Sequence, residues 1–462
     1  MTREYLANID SLFLHMDDPT NPMIITGVMV FDSPINFERL QATVQERLLR
    51  IRRFRQRLAW PCLGQRPYWQ DDADFDLAYH LQRARLGPPG DQAALQDTVS
   101  LLTSTPLDRS RPLWQFHLLE NYADCCALVM RFHHCLADGM ALVQVMLSLT
   151  DTEPNTPWPV IQPQQRQAQR SGSAPTRIEK IVRRAAGAAR HGIEALSDPD
   201  QLRGLGRNGQ EAAADLGRFL LLRPDPQTAL RGNLSGHKRA AWSEGIPLDE
   251  IKAIRQALGG TVNDVLLAVV AGALRRYMQE RGDPVDRLSI RATVPVSMRT
   301  LEQAAALGNR VGAVFVSLPI GIADPICRLG EIVRRMNERK GSWEAPVFYF
   351  ALNTLSYTPP RLANLLINTF GTRATLVMTN VKGPQERLYL AGAPLDGLMA
   401  WVPTTGRMGV GVSILSYAGQ VRLGVLTDRQ IVPDPETIIA AFHTEFEEIL
   451  ETLFKHDARA NK

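Results

Sequence analysis

The stretch from Cys125 to Thr150 sets the strongest limit on what this chain can fold into. Cys125 to Phe132 (CCALVMRF) is a short, mostly apolar run that reads as a buried strand, and Met140 to Thr150 (MALVQVMLSLT) reads as an apolar helix. Between them lie His133-His134-Cys135-Leu136-Ala137-Asp138-Gly139. Two histidines therefore sit at the C-terminal end of a strand and an Asp-Gly pair opens a helix, the position where α/β proteins usually keep their chemistry.

Local geometry narrows that chemistry. Successive residues of an extended segment point to opposite faces, so His133 and His134 cannot both face one ligand, and Cys135 points away from His134. No zinc-type spacing such as His-Glu-x-x-His or paired Cys-x-x-Cys is present, so no metal is expected. A Cys-His nucleophile pair needs side chains within hydrogen-bond reach of each other, which adjacent strand positions do not offer. What remains is one histidine acting alone as general base, a role suited by an ordinary pKa of about 6.5. Asp138 stands where a helix N-cap belongs and Gly139 suits a tight turn, so Asp138 reads as structural rather than catalytic.

A chain of 462 residues is too long for one compact core and implies two domains. With 45% hydrophobic and 22% charged residues it has the composition of an ordinary globular protein. Its longest apolar run, Val265 to Leu274, falls short of the roughly 18 residues that span a bilayer. The N-terminus lacks the charged-then-apolar layout of a signal peptide, so a cytoplasmic protein is expected. Cys62, Cys125, Cys126, Cys135 and Cys327 show no framework spacing and read as reduced, mostly buried thiols.

Strand and helix patterns alternate in two blocks, residues 1–150 and 237–462, which argues for two α/β layers. Residues 151–236 form a Pro- and Gln-rich connection, inside which Arg177 to Leu196 has the pattern of a basic amphipathic helix. That helix either bridges the two domains or meets an anionic lipid surface. In the second block, Val262 to about Arg281 carries an apolar stripe, with Asn263 and Asp264 in its first turn, where either could cap the helix or position a neighbour. Trp114 and His117, on the strand before the histidine pair, read as core residues close enough to line the same site.

The pattern His133-His134-x-x-x-Asp138-Gly139 resembles the HHxxxDG signature of coenzyme-A-dependent acyltransferases with the chloramphenicol acetyltransferase fold. Further segments resemble one branch, the bacterial wax ester synthase/diacylglycerol acyltransferases: Pro112-Leu113-Trp114, Thr261 to Val265, Val294 to Arg299, Gly308-Asn309 and Asn380 to Pro384. They keep that family's order from end to end. Two departures stand out: Lys382 replaces a proline in the last segment, and Ile24 stands after Met23 where the family often has histidine.

The resemblance implies two chloramphenicol acetyltransferase-like sandwich domains with an interdomain active-site tunnel. It implies long-chain acyl transfer from acyl-CoA, as co-substrate and with no cofactor, to diacylglycerol or a fatty alcohol, giving triacylglycerol or wax ester plus CoA. The base role falls on His134, with His133, Asp138 and Gly139 as the rest of the motif and Asn263 as a candidate for orienting the tunnel or stabilising an oxyanion. Arg50, Arg52, Arg53, Arg55 and Arg57 are either a solvated helix end or an attractor for CoA phosphates. Nucleic acid is disfavoured because aromatic platforms are not interleaved with them. Such a protein is expected in the cytoplasm or peripheral at the inner membrane or lipid droplets. A same-fold acyltransferase for a small polar acceptor and a non-catalytic lipid-binding protein are the alternatives.

Overall fold

The computed structural model describes residues 4–60, 66–157, 223–299, 307–339, 344–355 and 360–460. The basic stretch from Arg177 to Leu196 lies outside the described residues.

In the first half, β1 (Glu4–Tyr5) leads into α1 (Asn8–Met16), β2 (Ile24–Phe31) and α2 (Phe37–Thr43). Then follow β3 (Gln56–Ala59), β4 (Tyr68–Asp71), α3 (Leu77–His80), β5 (Leu81–Arg85), α4 (Gln92–Ser104), β6 (Trp114–Tyr122), β7 (Cys125–His133) and α5 (Gly139–Leu149). The second half runs β8 (Lys238–Trp242), β9 (Ile246–Pro247), α6 (Leu248–Leu258), α7 (Val262–Glu280), β10 (Ile290–Ser297), β11 (Val311–Leu318) and α8 (Pro325–Glu338). It ends with α9 (Glu344–Leu355), α10 (Pro360–Gly371), β12 (Leu376–Lys382), β13 (Tyr389–Leu390), β14 (Ala393–Trp401), β15 (Val410–Tyr417), β16 (Gln420–Asp428) and α11 (Pro435–Ala460).

Apart from β1, β4 and β3, which form a small sheet of their own, these strands build two large mixed sheets, as alternating α and β patterns in both halves predict. The first has the order β13-β14-β2-β7-β6-β5 and the second the order β11-β10-β12-β15-β16-β8, with β9 also on β16. The halves exchange chain: β13 and β14 belong to the second half by sequence but complete the sheet of the first. Leu395 pairs with Phe31 and Trp401 with Thr26, and β14 also packs on β15 and β16. The reason is β2, which is buried along most of its length and would otherwise present an unpaired apolar edge.

The second core forms around α7, whose Val265 to Ala271 are all buried between the sheet and helices α8 and α11. Thr261 caps this helix, with Asp264 reaching back to the Thr261 N–H at 2.8 Å, a capping box. Gly272 leaves room for the buried ion pair of Arg328 and Glu445, whose atoms a Cβ would strike. Among the described residues no single helix is long and apolar enough to cross a membrane.

Candidate active site

The strand before the motif is held on both sides: β7 pairs with β2 and β6, and Ile24 lies opposite His133. Regular pairing stops there, and the His134 N–H donates to the Met23 carbonyl at 2.8 Å. The chain then turns, and Asp138 caps α5 by accepting the Ala141 N–H at 2.9 Å.

Asp138 does more than cap. Its Oδ2 accepts the Arg310 N–H at 3.0 Å and meets Arg299 Nη2 at 3.0 Å, with both side chains about 5% exposed or less. Gly308 lies in register with Ala137, its N–H donating to Leu136 and its carbonyl accepting from Asp138 and Arg299. The positive φ of Gly308 (92°) is the left-handed region that glycine enters at little cost. The Gly308-Asn309 pair and Arg299, all from the second half, therefore lock the motif turn of the first.

The two histidines point to different neighbours. His133 Nδ1 accepts the Cys135 N–H at 3.1 Å, which leaves its ring proton on Nε2, 3.3 Å from Asp17 Oδ2. Burial pushes the Asp17 carboxyl up, but His133, Arg109 and the Met23 N–H outweigh it and hold it down at about 2. His133 is thus fixed among structural partners.

His134 faces the interior between the halves. Its ring stacks on Phe13, with centroids 4.0 Å apart and planes 10° from parallel. Of its two nitrogens only Nδ1 is sealed from solvent, which leaves Nε2 toward the cavity. Burial pushes the imidazole down to about 4, against the pull of its own carbonyl and of Asp138. The ring is therefore neutral at ordinary pH and free to accept a proton. Cys135 is buried, which pushes its thiol well up and leaves no thiolate for nucleophilic attack.

The cavity holds about 240 Å³ and draws walls from both halves: Phe13, Met29 and Met146 from the first, Thr293, Val377 and Leu398 from the second. Asp138, Gly139 and Met140 line it beside His134. Its walls are mostly apolar and rich in methionine, including Met23, Met130 and Met399, which suits a flexible alkyl chain.

Other sequence candidates fall in different places. Asn263 lies outside the cavity wall and does not cap α7; its Oδ1 accepts from Asn380 Nδ2 at 2.7 Å, and Asn380 is the lining residue. Trp114 is core, its Nε1 donating to the Phe54 carbonyl at 2.8 Å, and it does not line the cavity. His117 is absent from the wall too; its Nε2 is buried without a partner, and burial followed by Arg131 pushes it down to about 4. Lys382 is exposed, while its neighbours Val381 and Gly383 line the cavity, so this departure does not alter the wall. In the arginine run, Arg50, Arg52, Arg53 and Arg57 face Glu46, Asp71, Glu4 and Asp72 respectively. Most of that charge is answered locally.

Sequence reasoning missed Asp10, Phe13 and Asp17 as parts of the site, and gave Arg299 and Asn309 only as matches to the family, without a role. The first three have the i, i+3 and i+7 spacing of one helix face, and that was the available signal.

Two sheets, one completed by strands from the other half of the chain, with a buried histidine facing the cavity between the halves at a strand end, define an acyl-transfer type of two-domain α/β protein. The architecture is that of the first condensation domain of the calcium-dependent antibiotic synthetase, with a TM-score of 0.63 at 15% identity over 97% of each chain. The chain belongs to the wax ester synthase/diacylglycerol acyltransferase family: the catalytic-domain model matches residues 6–266 and the C-terminal-domain model residues 307–450. It is similar to the wax ester synthase/diacylglycerol acyltransferase from Marinobacter aquaeolei VT8, with a TM-score of 0.70 and 25% identity, covering 96% of this chain and 98% of that one. It is also 32% identical over 465 residues to tgs2 of Mycobacterium tuberculosis, described as a probable diacyglycerol O-acyltransferase, covering 95% of this chain and 97% of that one.

Proposed function

We propose that this protein transfers a long-chain acyl group from acyl-CoA to the hydroxyl of diacylglycerol or a fatty alcohol, releasing CoA with triacylglycerol or wax ester. The observation that carries this reading is a neutral, buried imidazole with one nitrogen open to an apolar cavity between two domains. His134 Nε2 takes the alcohol proton as the oxygen attacks the thioester carbonyl. The first N–H groups of α5, at Gly139 and Met140, have no acceptor within the helix and border the cavity, so they suit the oxyanion. Collapse of the tetrahedral adduct expels CoA thiolate, which recovers the proton from His134. The apolar wall excludes water, which would otherwise compete as acceptor.

The acceptors dissolve poorly in water, so the enzyme collects them at a lipid surface. Helices α9 and α10 suit that contact. Between Glu344 and Arg373 the sequence has Arg361 as its single charged residue, and Phe350 and Leu365 are more than 60% exposed. On its other face α9 lends Phe348 and Leu352 to the cavity wall.

The test measures thiol release from palmitoyl-CoA with hexadecanol, with dioleoylglycerol, with small polar alcohols and amines, or with no acceptor. Release that depends on a lipid acceptor supports the proposal. Release with only polar acceptors, or with none of them, overturns it.

A further inference from the structure

Helix α1 and the residue that ends it carry three side chains that each touch the histidine pair or its support. Asp10 and Phe13 lie one turn apart on α1, and Asp17 is the extended residue just past its end. Phe13 stacks on the His134 ring. Asp17 faces His133 Nε2 and also accepts the Met23 N–H at 2.8 Å, and Met23 in turn accepts the His134 N–H. Asp10 is buried, and its Oδ1 accepts both the N–H of Asn309, at 2.9 Å, and its side-chain Nδ2, at 2.7 Å. The same Asn309 Nδ2 donates to the His134 carbonyl at 2.8 Å.

We propose that Asp10 is a positioning residue of the acyl-transfer site: through Asn309 it fixes the His134 carbonyl, and with it the reach of His134 Nε2 into the cavity. The inference rests on the acyl-transfer reading of His134. A carboxylate is the acceptor best able to hold two donors of one residue at one oxygen, and it keeps Asn309 Nδ2 in line with the His134 carbonyl. Asn309 comes from the second half, so this contact also sets the base relative to the opposite wall. Asn309 Oδ1 and His134 Nδ1 are among the buried polar atoms left without partners here, and the Asn309 amide favours a proton on the His134 ring. A small rotation of Asn309 therefore changes what the ring nitrogen meets.

Burial pushes Asp10 up to about 6, against its two bonds from Asn309 and the attraction of Arg53. The charged and titratable groups facing it are Arg53, Asp138 and Cys135, the last with its thiol pushed well up. A protonated Asp10 is a weaker acceptor, so its grip on Asn309 strengthens as pH rises through about 6. His134 titrates lower, at about 4, and does not produce that step.

The experiment compares wild type, Asp10→Ala, Asp10→Asn, Asn309→Ala, the double variant Asp10→Ala/Asn309→Ala and His134→Ala in thiol release from palmitoyl-CoA with hexadecanol, from pH 5 to 8. Rates are taken per folded molecule, with circular dichroism and Tm alongside. Asp10→Ala should lower kcat by roughly 10²-fold with KM nearly unchanged, the size of loss that a misplacement of about 1 Å produces. Asp10→Asn keeps the oxygen and should lose the step near pH 6. The double variant should be no slower than the worse single variant. Unchanged kcat in Asp10→Ala, a step near pH 6 that survives in Asp10→Asn, or additive losses in the double variant would each overturn the proposal. If Asp10→Ala does not fold, the pH profile of Asp10→Asn decides. Full activity of His134→Ala would instead remove the acyl-transfer reading on which the proposal rests.

Discussion

Replacing Asp138 by alanine should destabilise this protein more than loss of a helix cap alone. The cap bond to the Ala141 N–H accounts for about 0.5–2 kcal/mol. The same carboxylate also neutralises Arg299, whose side chain is 4% exposed, and holds the Arg310 N–H. Breaking a buried ion pair by removing one partner costs about 3–5 kcal/mol. These contributions share atoms, so the expected total is about 3–5 kcal/mol rather than their sum. In a unit of about 150–250 residues that lowers Tm by roughly 6–20 °C. The assay is thermal unfolding followed by circular dichroism, with thiol release measured per folded molecule. Asp138→Ala/Arg299→Ala should lose less than the two single changes together, because both changes break the same ion pair. An unchanged Tm in Asp138→Ala with an inactive enzyme would refute this reasoning and put the carboxylate in the chemistry.

Gly272→Ala should cost about 1–3 kcal/mol, because the new methyl meets Glu445 and Arg328; unfolding in guanidinium measures it, and an unchanged midpoint would contradict the packing. Asn263→Ala frees the Asn380 amide without removing a cavity atom, so kcat should fall by less than the 10²-fold or more expected of an oxyanion donor. Phe350→Glu/Leu365→Glu should reduce flotation with anionic liposomes and slow acylation of vesicle-embedded dioleoylglycerol. Acylation of a soluble short-chain alcohol should be unaffected by that pair of changes. Equal flotation of the variant would return α9 and α10 to a purely structural role.

The elements that the sequence pattern predicts well are those whose own residues decide them. Ile24–Phe31 and Val311–Leu318 coincide with apolar runs, Leu248–Leu258 follows an amphipathic helical spacing, and α5 begins where Asp138 can cap it. The strand Ala393–Trp401 escaped because Pro394, Asp396 and Gly397 weaken its intrinsic preference, and its partner β2 lies in the other half of the chain. Helix Asn8–Met16 escaped for a related reason: it lacks a side-chain cap and is buried on several faces, so no simple apolar stripe appears. His133, His134 and Asp138 were readable because they lie together in sequence. Arg299 and Asn309, which hold them, lie more than 160 residues away and gain meaning only when the halves close. Asn263 shows the converse, a residue singled out by motif whose side chain reaches the cavity wall only through Asn380.

The most direct measurement is the rate of CoA release from palmitoyl-CoA with hexadecanol or dioleoylglycerol for wild type and His134→Ala, across pH 5 to 8. His134 is pushed down to about 4 and is already neutral over that range, so it should impose no loss of wild-type rate of its own there. His134→Ala should retain the wild-type fold and lose roughly 10²–10⁴-fold in kcat, as expected for a positioned general base. A folded His134→Ala enzyme that releases CoA at the wild-type rate with either acceptor would contradict the assignment of His134 as the base.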